Sequence, residues 1–207
     1  MIEPVRNVYC VGRNYRLHAA ELGNAVPEEP MIFLKPTHAV ALMDGSRLAL
    51  PQDRGSLHFE GEIVIRIAKS YEAGMSVDEL VDAMSLGIDF TLRDVQSVIK
   101  EKGHPWTAAK GFKNAAPLAP WIPFPGNKAV KETPFTVLKN GSQVQWGKAS
   151  DMIFSLQEIV DYVGRHYGLA EGDIIFTGTP EGVGPAEAGD NFELFWNEKS
   201  MGSCMIG

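Results

Sequence analysis

The pattern of apolar and polar positions along the chain predicts more strands than helices. The clearest strand is 57–68, LHFEGEIVIRIA, in which Leu57, Phe59 and Ile63 alternate with polar or charged neighbours before a β-branched second half. A hairpin is predicted at 135–147, where Asn140-Gly141 supplies the turn. Shorter apolar runs predict further strands at 5–12, 31–36, 173–185 and 191–198.

Helical periodicity is confined to a few short segments. A capping box formed by Ser76 and Glu79 opens a predicted helix at 76–88. Three further helices are predicted at 14–22, 91–103 and 155–169. Strands outnumber helices and their order is mixed, so we expect an α+β fold built on a curled or sandwiched sheet, with 1–207 forming a single catalytic domain.

Composition narrows the class of protein. The 207 residues are 44% hydrophobic and carry a net charge of −7, which argues for a folded globular protein and against a nucleic-acid partner. No apolar run of about 20 residues exists to cross a membrane, and the N-terminus does not read as a signal peptide. Cys10 and Cys204 lack metal-ligand spacing and are expected to be free thiols. A cytoplasmic location is the default expectation.

Two glutamates in the strongest strand are candidate metal ligands. Glu60 and Glu62 are two residues apart and therefore project from the same face of a strand. On a buried face their charges would repel each other unless a cation neutralised them. An exposed edge strand with two solvated glutamates is the alternative that the pair alone leaves open.

Asp89 extends the pair to a set of three hard oxygen ligands. It lies among apolar residues between two predicted helices, so it is either a helix cap or a ligand. Three carboxylates without cysteine or histidine favour Mg²⁺ or Mn²⁺ over Zn²⁺, with Ca²⁺ as a non-native occupant. Beyond Asp89, Arg93 and Gln96 follow at i+4 and i+7, a spacing that suits a polar pocket or a salt-bridged surface stripe.

Five runs of sequence in order resemble the fumarylacetoacetate hydrolase family: GRNYRLHAAELG, HFEGEIVIRIA, GIDFTLRDVQ, KGHPWTAAKGF and DIIFTGTPEGVGP. The resemblance covers most of the chain and is greatest to short members without an added N-terminal domain. It implies a mixed β-sandwich roll, usually a homodimer, that holds Mg²⁺ or Mn²⁺. The roles it implies are metal ligation by Glu60, Glu62 and Asp89, catalysis by His18, Glu21 and Lys110, and substrate binding by Arg93, Gln96 and Thr179.

The implied activity is chemistry on a small 2-oxo acid. A metal-stabilised enolate would serve hydrolysis of the C–C bond of an acylpyruvate, the leading expectation, as well as isomerisation of 2-hydroxyhepta-2,4-diene-1,7-dioate and decarboxylation or tautomerisation of oxaloacetate. His18 and Glu21 are three residues apart, so Glu21 can orient His18 to activate water, which hydrolysis requires and decarboxylation does not. A non-catalytic metal-binding scaffold is the alternative of another class.

Overall fold

Strands account for most of the regular structure in the computed structural model, which describes residues 5–17 and 27–207. The strands β1 to β16 are, in chain order, Val8–Gly12, Met31–Lys35, Val40–Leu42, Asp44–Leu48, Leu57–Phe59, Gly61–Ile67, Val81–Ile88, Thr91–Leu92, Ala116–Leu118, Ile122–Pro123, Pro134–Lys139, Ser142–Lys148, Ile174–Phe176, Gly184–Pro185, Asn191–Trp196 and Lys199–Ile206.

The helices are short and few in this part of the chain. They are α1 Val77–Leu80, α2 Arg93–Glu101, α3 Thr107–Lys110, α4 Asn127–Glu132 and α5 Leu156–His166, with single 3₁₀ turns at Thr37–Ala39 and Ala149–Asp151. The longest, α5, has 11 residues, whereas about 20 are needed to cross a bilayer. Among the described residues, no helix is long and apolar enough to span a membrane.

Three sheets share the strands, and their arrangement confirms the predicted α+β class. The largest runs in the order β2-β1-β13-β6-β7-β9-β3, with β10 paired to β7. A second sheet runs β12-β11-β15-β16-β4, and a third, small sheet runs β14-β5-β8. Strands β6 and β7 lie in the middle of the large sheet and are almost wholly buried, so the core is continuous around them. Burial of this apolar surface is the main force that holds the sheets together.

The strand predicted at 57–68 is interrupted at Glu60. Residues Leu57–Phe59 belong to the small sheet, whereas Gly61–Ile67 belong to the large one. The chain therefore passes from one sheet to the other at Glu60, and the prediction of one continuous strand was wrong at this point. The change of sheet places the Glu60 carboxylate at the junction between the two sheets.

The helix predicted at 76–88 is also wrong over most of its length. The capping box of Ser76 and Glu79 is present, but the helix that it opens ends at Leu80. Residues Val81–Ile88 instead form a central strand that pairs with Gly61–Ile67. Pairing with buried neighbours on both sides outweighs a local helix signal of this kind.

Other local predictions were confirmed. The hairpin turns at Asn140-Gly141, with φ of 53° and 78°, as the paired positive φ values of a type I′ turn require. The helix predicted at 91–103 is present as Arg93–Glu101 and the one at 155–169 as Leu156–His166. The predicted helix 14–22 falls largely on residues outside the described ranges.

Candidate metal centre and active site

Three carboxylates meet at one end of the central strand pair. Glu62 lies in β6, Glu60 immediately before it, and Asp89 immediately after β7. Antiparallel pairing sets Glu62 opposite Gly87, and the Asp89 amide donates to the Glu60 carbonyl at 2.8 Å. One ligand oxygen of each carboxylate lies within 4.8 Å of the other two. The predicted cluster is therefore assembled by the register of two neighbouring strands.

Burial decides between the alternatives that the sequence left open. The exposed fractions of Glu60, Glu62 and Asp89 are 6%, 3% and 1%, so the two glutamates are not solvated residues of an edge strand. Asp89 does not cap a helix either, because α2 begins at Arg93 and its N-cap is Leu92. Buried carboxylates are costly unless cations or hydrogen bonds compensate them, which makes their immediate partners informative.

Lys110 bridges two of the three carboxylates. Its Nζ donates to Glu60 Oε2 at 2.8 Å and to Asp89 Oδ2 at 2.7 Å, and its side chain is only 3% exposed. Burial acts to lower the pKa of Lys110, but the charges of Asp89 and Glu60 outweigh it and raise the pKa overall. Lys110 is therefore held as an ammonium ion, able to donate hydrogen bonds and positive charge rather than to accept a proton.

Lys35 is a second buried ammonium that the sequence reading missed. Its Nζ donates to the backbone carbonyls of Phe90 and Ala115 at 3.2 and 3.1 Å, and to that of Lys110. It also lies 2.7 Å from Asp89 Oδ1, although the approach lacks hydrogen-bond geometry, so this oxygen has no hydrogen-bond donor among the described residues. The only signal in the sequence was a lysine ending an otherwise apolar strand, MIFLK.

Arg93 closes the cluster from the first turn of α2. Its guanidinium forms a close ion pair with Glu60 Oε1 and donates to Gln96 Oε1 at 2.7 Å. The Thr91 hydroxyl donates to the same Glu60 oxygen at 3.2 Å. The Nε of Arg93 is buried and has no partner in the described part of the chain. The polar-pocket interpretation of Arg93 and Gln96 is thus supported, although Asp89 precedes the helix instead of sharing its stripe.

Glu62 has the least compensation of the three carboxylates. Its Oε2 accepts from the Gly178 amide at 2.7 Å. Burial, followed by the charges of Asp89 and Glu60, raises the pKa of Glu62 well above its usual value. Gly178 has φ of 101°, and a Cβ there would lie 2.6 Å from the Asn14 Cβ, so only glycine brings this amide to the carboxylate. The close backbone approach at Gly178 is therefore directed at Glu62.

The donor set fits a hard divalent cation. Three carboxylate oxygens converge, and one oxygen of Asp89 has no hydrogen-bond donor among the described residues. Burial, followed by the charges of Asp89 and Glu60, raises the pKa of Glu62. Oxygens around Mg²⁺ at about 2.1 Å lie about 3–4 Å apart, so small side-chain adjustments suffice. Three cations, Lys35, Lys110 and Arg93, balance the carboxylates. A bound divalent ion would make the site positive, and thus attractive to an anionic ligand.

Thr179 lines the cavity that contains the three carboxylates, and its hydroxyl is hydrogen-bonded to the neighbouring residues. Its hydroxyl donates to the Gly61 carbonyl at 2.9 Å and accepts from Gln145 Nε2 at 2.9 Å. Gln145 Oε1 in turn accepts from the Gly61 amide at 2.8 Å. Gln145 was another residue that the sequence reading missed, because a single glutamine in a hairpin strand carries no distinctive signal. Together they fix the backbone between Glu60 and Glu62.

The predicted pair His18 and Glu21 lies outside the described residues. Substrate contacts by Arg93, Gln96 and Thr179 stay predictions, although all three line the cavity that contains the carboxylates.

A family model independently covers almost the whole chain. The fumarylacetoacetate (FAA) hydrolase C-terminal model matches residues 7–204. The chain belongs to the fumarylacetoacetate hydrolase family. The fold expected from the five sequence motifs, with mixed sheets, a curled architecture and few helices, is thereby confirmed.

Relatives within this family carry several enzyme names. The oxaloacetate tautomerase YcgM of Escherichia coli K12 is 38% identical over 203 residues, which are 96% of this chain and 91% of the relative. A fumarylpyruvate hydrolase from Pseudomonas aeruginosa, solved with Mn²⁺ and pyruvate, has a TM-score of 0.90 and 35% identity, with 98% and 90% of the two chains covered. A 2-hydroxyhepta-2,4-diene-1,7-dioate isomerase from Mycobacterium marinum has a TM-score of 0.82 and 30% identity, with 98% and 74% covered.

These relatives settle the class of protein. They are enzymes, so the family member described here is an enzyme rather than the non-catalytic scaffold that an acidic cluster alone left open. One relative holds Mn²⁺, which agrees with the hard ligands of the carboxylate cluster.

Proposed function

We propose that this protein is a divalent-metal-dependent enzyme, consisting of a single catalytic domain, that interconverts the enol and keto forms of a 2-oxo acid such as oxaloacetate. The observation that carries the proposal is the buried cluster of Glu60, Glu62 and Asp89, with the Lys110 ammonium bridging two of its members. The 38% identity with an oxaloacetate tautomerase over most of both chains supports oxaloacetate as the first substrate to test.

The carboxylates would hold Mg²⁺ or Mn²⁺, which when bound supplies Lewis-acid stabilisation of negative charge at a carbonyl oxygen. Lys110 adds a fixed positive charge beside Glu60 and Asp89, two of the carboxylates that would hold the metal. Burial lowers the pKa of Lys110, but the charges of Asp89 and Glu60 raise it overall, so the ammonium would meet a developing oxyanion as a charged hydrogen-bond donor. The site is shielded from water, so each such interaction is stronger than it would be in solution.

Arg93 is placed to orient an anionic substrate. Its Nε is buried and has no partner among the residues that the structure describes, while its terminal nitrogens bind Glu60 and Gln96. A substrate carboxylate that accepted from Nε would satisfy this donor and be fixed in one orientation. Arg93 and Gln96 thus act as binding residues, and Lys110 as the catalytic one.

Hydrolysis of an acylpyruvate is the second candidate. The 35% identity with a fumarylpyruvate hydrolase over nearly the full chain supports it, as does the sequence pair His18 and Glu21. In this reaction His18, oriented by Glu21, would activate a water molecule against the distal carbonyl. Enol–keto conversion needs no such attack, so the two reactions place different demands on His18.

The test is a substrate panel on the wild type and on His18→Ala, with Mg²⁺ or Mn²⁺ present. Oxaloacetate tautomerisation, oxaloacetate decarboxylation and hydrolysis of acetylpyruvate and fumarylpyruvate would each be followed by ultraviolet absorbance. We expect oxaloacetate tautomerisation in the wild type, and loss of about 10²-fold or more of any acylpyruvate hydrolysis in the variant.

Chelation with EDTA should remove every activity, and added Mn²⁺ should restore it. Absence of turnover on all 2-oxo acids in metal-saturated wild type would refute the proposed function. Hydrolysis that survives in His18→Ala would instead refute the role of His18 alone.

A further inference from the structure

A group of cations extends from the carboxylate cluster along one wall of the same cavity. Arg93, Gln96 and Lys100 occur at i, i+3 and i+7 on α2, so they share one face of that helix. Arg13, which follows the end of β1, borders the cavity beside them. Arg93 is already engaged with Glu60 and Gln96, which leaves Arg13 and Lys100 as the outer pair.

Arg13 and Lys100 have no carboxylate partner in residues 5–17 and 27–207. No ion pair in these ranges involves either side chain. They are close enough to affect each other: partial burial, followed by the charges of Arg13 and Arg93, lowers the pKa of Lys100. Like charges held together beside a cavity destabilise the ligand-free protein, and an anion bound between them would relieve this repulsion.

The backbone at Arg13 also fixes the position of this charge. Its φ is 57°, a left-handed conformation that side chains other than glycine, asparagine and aspartate seldom adopt. A constrained backbone that presents a cation to a ligand cavity is a recurrent feature of binding sites.

We propose that Arg13 and Lys100 bind the distal carboxylate of a 2-oxo dicarboxylate whose 2-oxo acid end lies at the carboxylate cluster. The inference rests on the proposed function and adds to it two specificity-determining residues, which would select a dicarboxylate over a monocarboxylate of the same length. Neither residue was among the site residues predicted from the sequence.

The geometry of the helix makes the reach suitable. Arg93 and Lys100 are about 10 Å apart along the helix axis, from a rise of about 1.5 Å per residue. Side chains on a helix lean toward its N-terminus, so the Lys100 ammonium extends back toward Gln96 and Arg93. Arg13, Lys100 and the three carboxylates line one cavity, so the proposal places the two ends of a single dicarboxylate between them.

Binding of two matched ligands tests the inference without turnover. 2-Oxoglutarate and 2-oxopentanoate have the same length and differ in the distal carboxylate. Calorimetric titration of Mn²⁺-saturated wild type should show at least about 10-fold tighter binding of 2-oxoglutarate, as charge-assisted hydrogen bonds imply. In Lys100→Gln with Arg13→Asn this preference should fall to near unity, while the affinity for 2-oxopentanoate stays within about 2-fold of wild type.

The substitutions keep the local structure. Glutamine matches lysine in helix propensity, and asparagine tolerates the left-handed conformation of Arg13. Lys102→Gln is the matched control: it removes an exposed charge at the end of the same helix, away from the cavity, and should preserve the preference. The single variant Lys100→Gln, at an exposed position, guards against misfolding of the double variant.

Equal affinity of the wild type for the two ligands, or a preference that survives both substitutions, would overturn the inference. Turnover of 2-oxo acids without any dicarboxylate preference leaves the proposed function standing and removes Arg13 and Lys100 from the site. A dicarboxylate preference in a protein that turns over no 2-oxo acid has the opposite meaning: the cation pair is supported and the proposed reaction is wrong.

Discussion

Glu62→Gln is expected to make the metal-free protein more stable while it removes metal binding and activity. Burial and the charges of Asp89 and Glu60 already disfavour the ionised form of Glu62, and the amide oxygen of glutamine can still accept from the Gly178 amide. For a chain of this size the melting temperature should rise by about 2–4 °C for each kcal/mol of repulsion removed. Affinity for Mn²⁺ should fall by about 10²-fold or more, and turnover by about 10³-fold.

The pH dependence supplies a control for this effect. Because the folded-state pKa of Glu62 is raised, this group binds more protons in the folded than in the unfolded chain, and its contribution to wild-type stability falls as pH rises above the usual glutamate pKa of 4.5. The advantage of Glu62→Gln, measured as the difference in melting temperature in EDTA, should grow with pH over that range. Lower stability of the variant at every pH would contradict the crowding of charge at Glu62.

Lys110→Met is expected to have the opposite effect on the metal-free protein. Removal of the ammonium leaves Glu60 and Asp89 buried without the donor that they share. Loss of one partner from a buried ion pair costs about 3–5 kcal/mol, which lowers the melting temperature by about 10 °C or more. Turnover should fall by about 10²–10³-fold, as expected when a donor to a developing oxyanion is lost.

Addition of Mn²⁺ and a control substitution of a neighbouring lysine show whether these effects come from the lost positive charge at Lys110. Mn²⁺ should raise the melting temperature of Lys110→Met by more than that of the wild type, because the cation replaces the missing positive charge. Lys113→Met, at an exposed position three residues away, should change neither stability nor turnover appreciably. A Lys110→Met protein as stable as wild type in EDTA would show that the two ion pairs contribute nothing to the fold.

Much of the carboxylate cluster could be predicted from the sequence because its ligands follow local rules. Glu60 and Glu62 are two residues apart, and two-residue spacing brings side chains to one side of an extended chain even where the strand changes sheet. Asp89 was identified because a carboxylate among apolar residues needs a compensating partner. Helical spacing made Arg93 and Gln96 candidates but left a surface stripe equally open, and the family resemblance then assigned them to a pocket.

The residues that were missed depend on contacts between distant segments. Lys35 reaches Asp89 from a strand 54 positions earlier, and the hydrogen bond that the Gly61 amide donates to Gln145 Oε1 spans 84 positions. Nothing in the immediate sequence distinguishes Gln145 from a surface residue, and only its place at the end of an apolar strand marks Lys35. For the same reason the strand at 81–88 was predicted as helix, since only its pairing with Gly61–Ile67 reveals its conformation.

The long separations within the site have a kinetic consequence. The Gly178 amide reaches Glu62 across 116 positions, and Lys110 reaches Glu60 across 50, so the cluster is complete only when most of the chain has folded. Contacts that form after the rate-limiting step affect the rate of unfolding much more than the rate of folding. A cation held by Glu60, Glu62 and Asp89 would therefore chiefly lower the rate of unfolding. It would lengthen the lifetime of the native enzyme without raising the rate of folding.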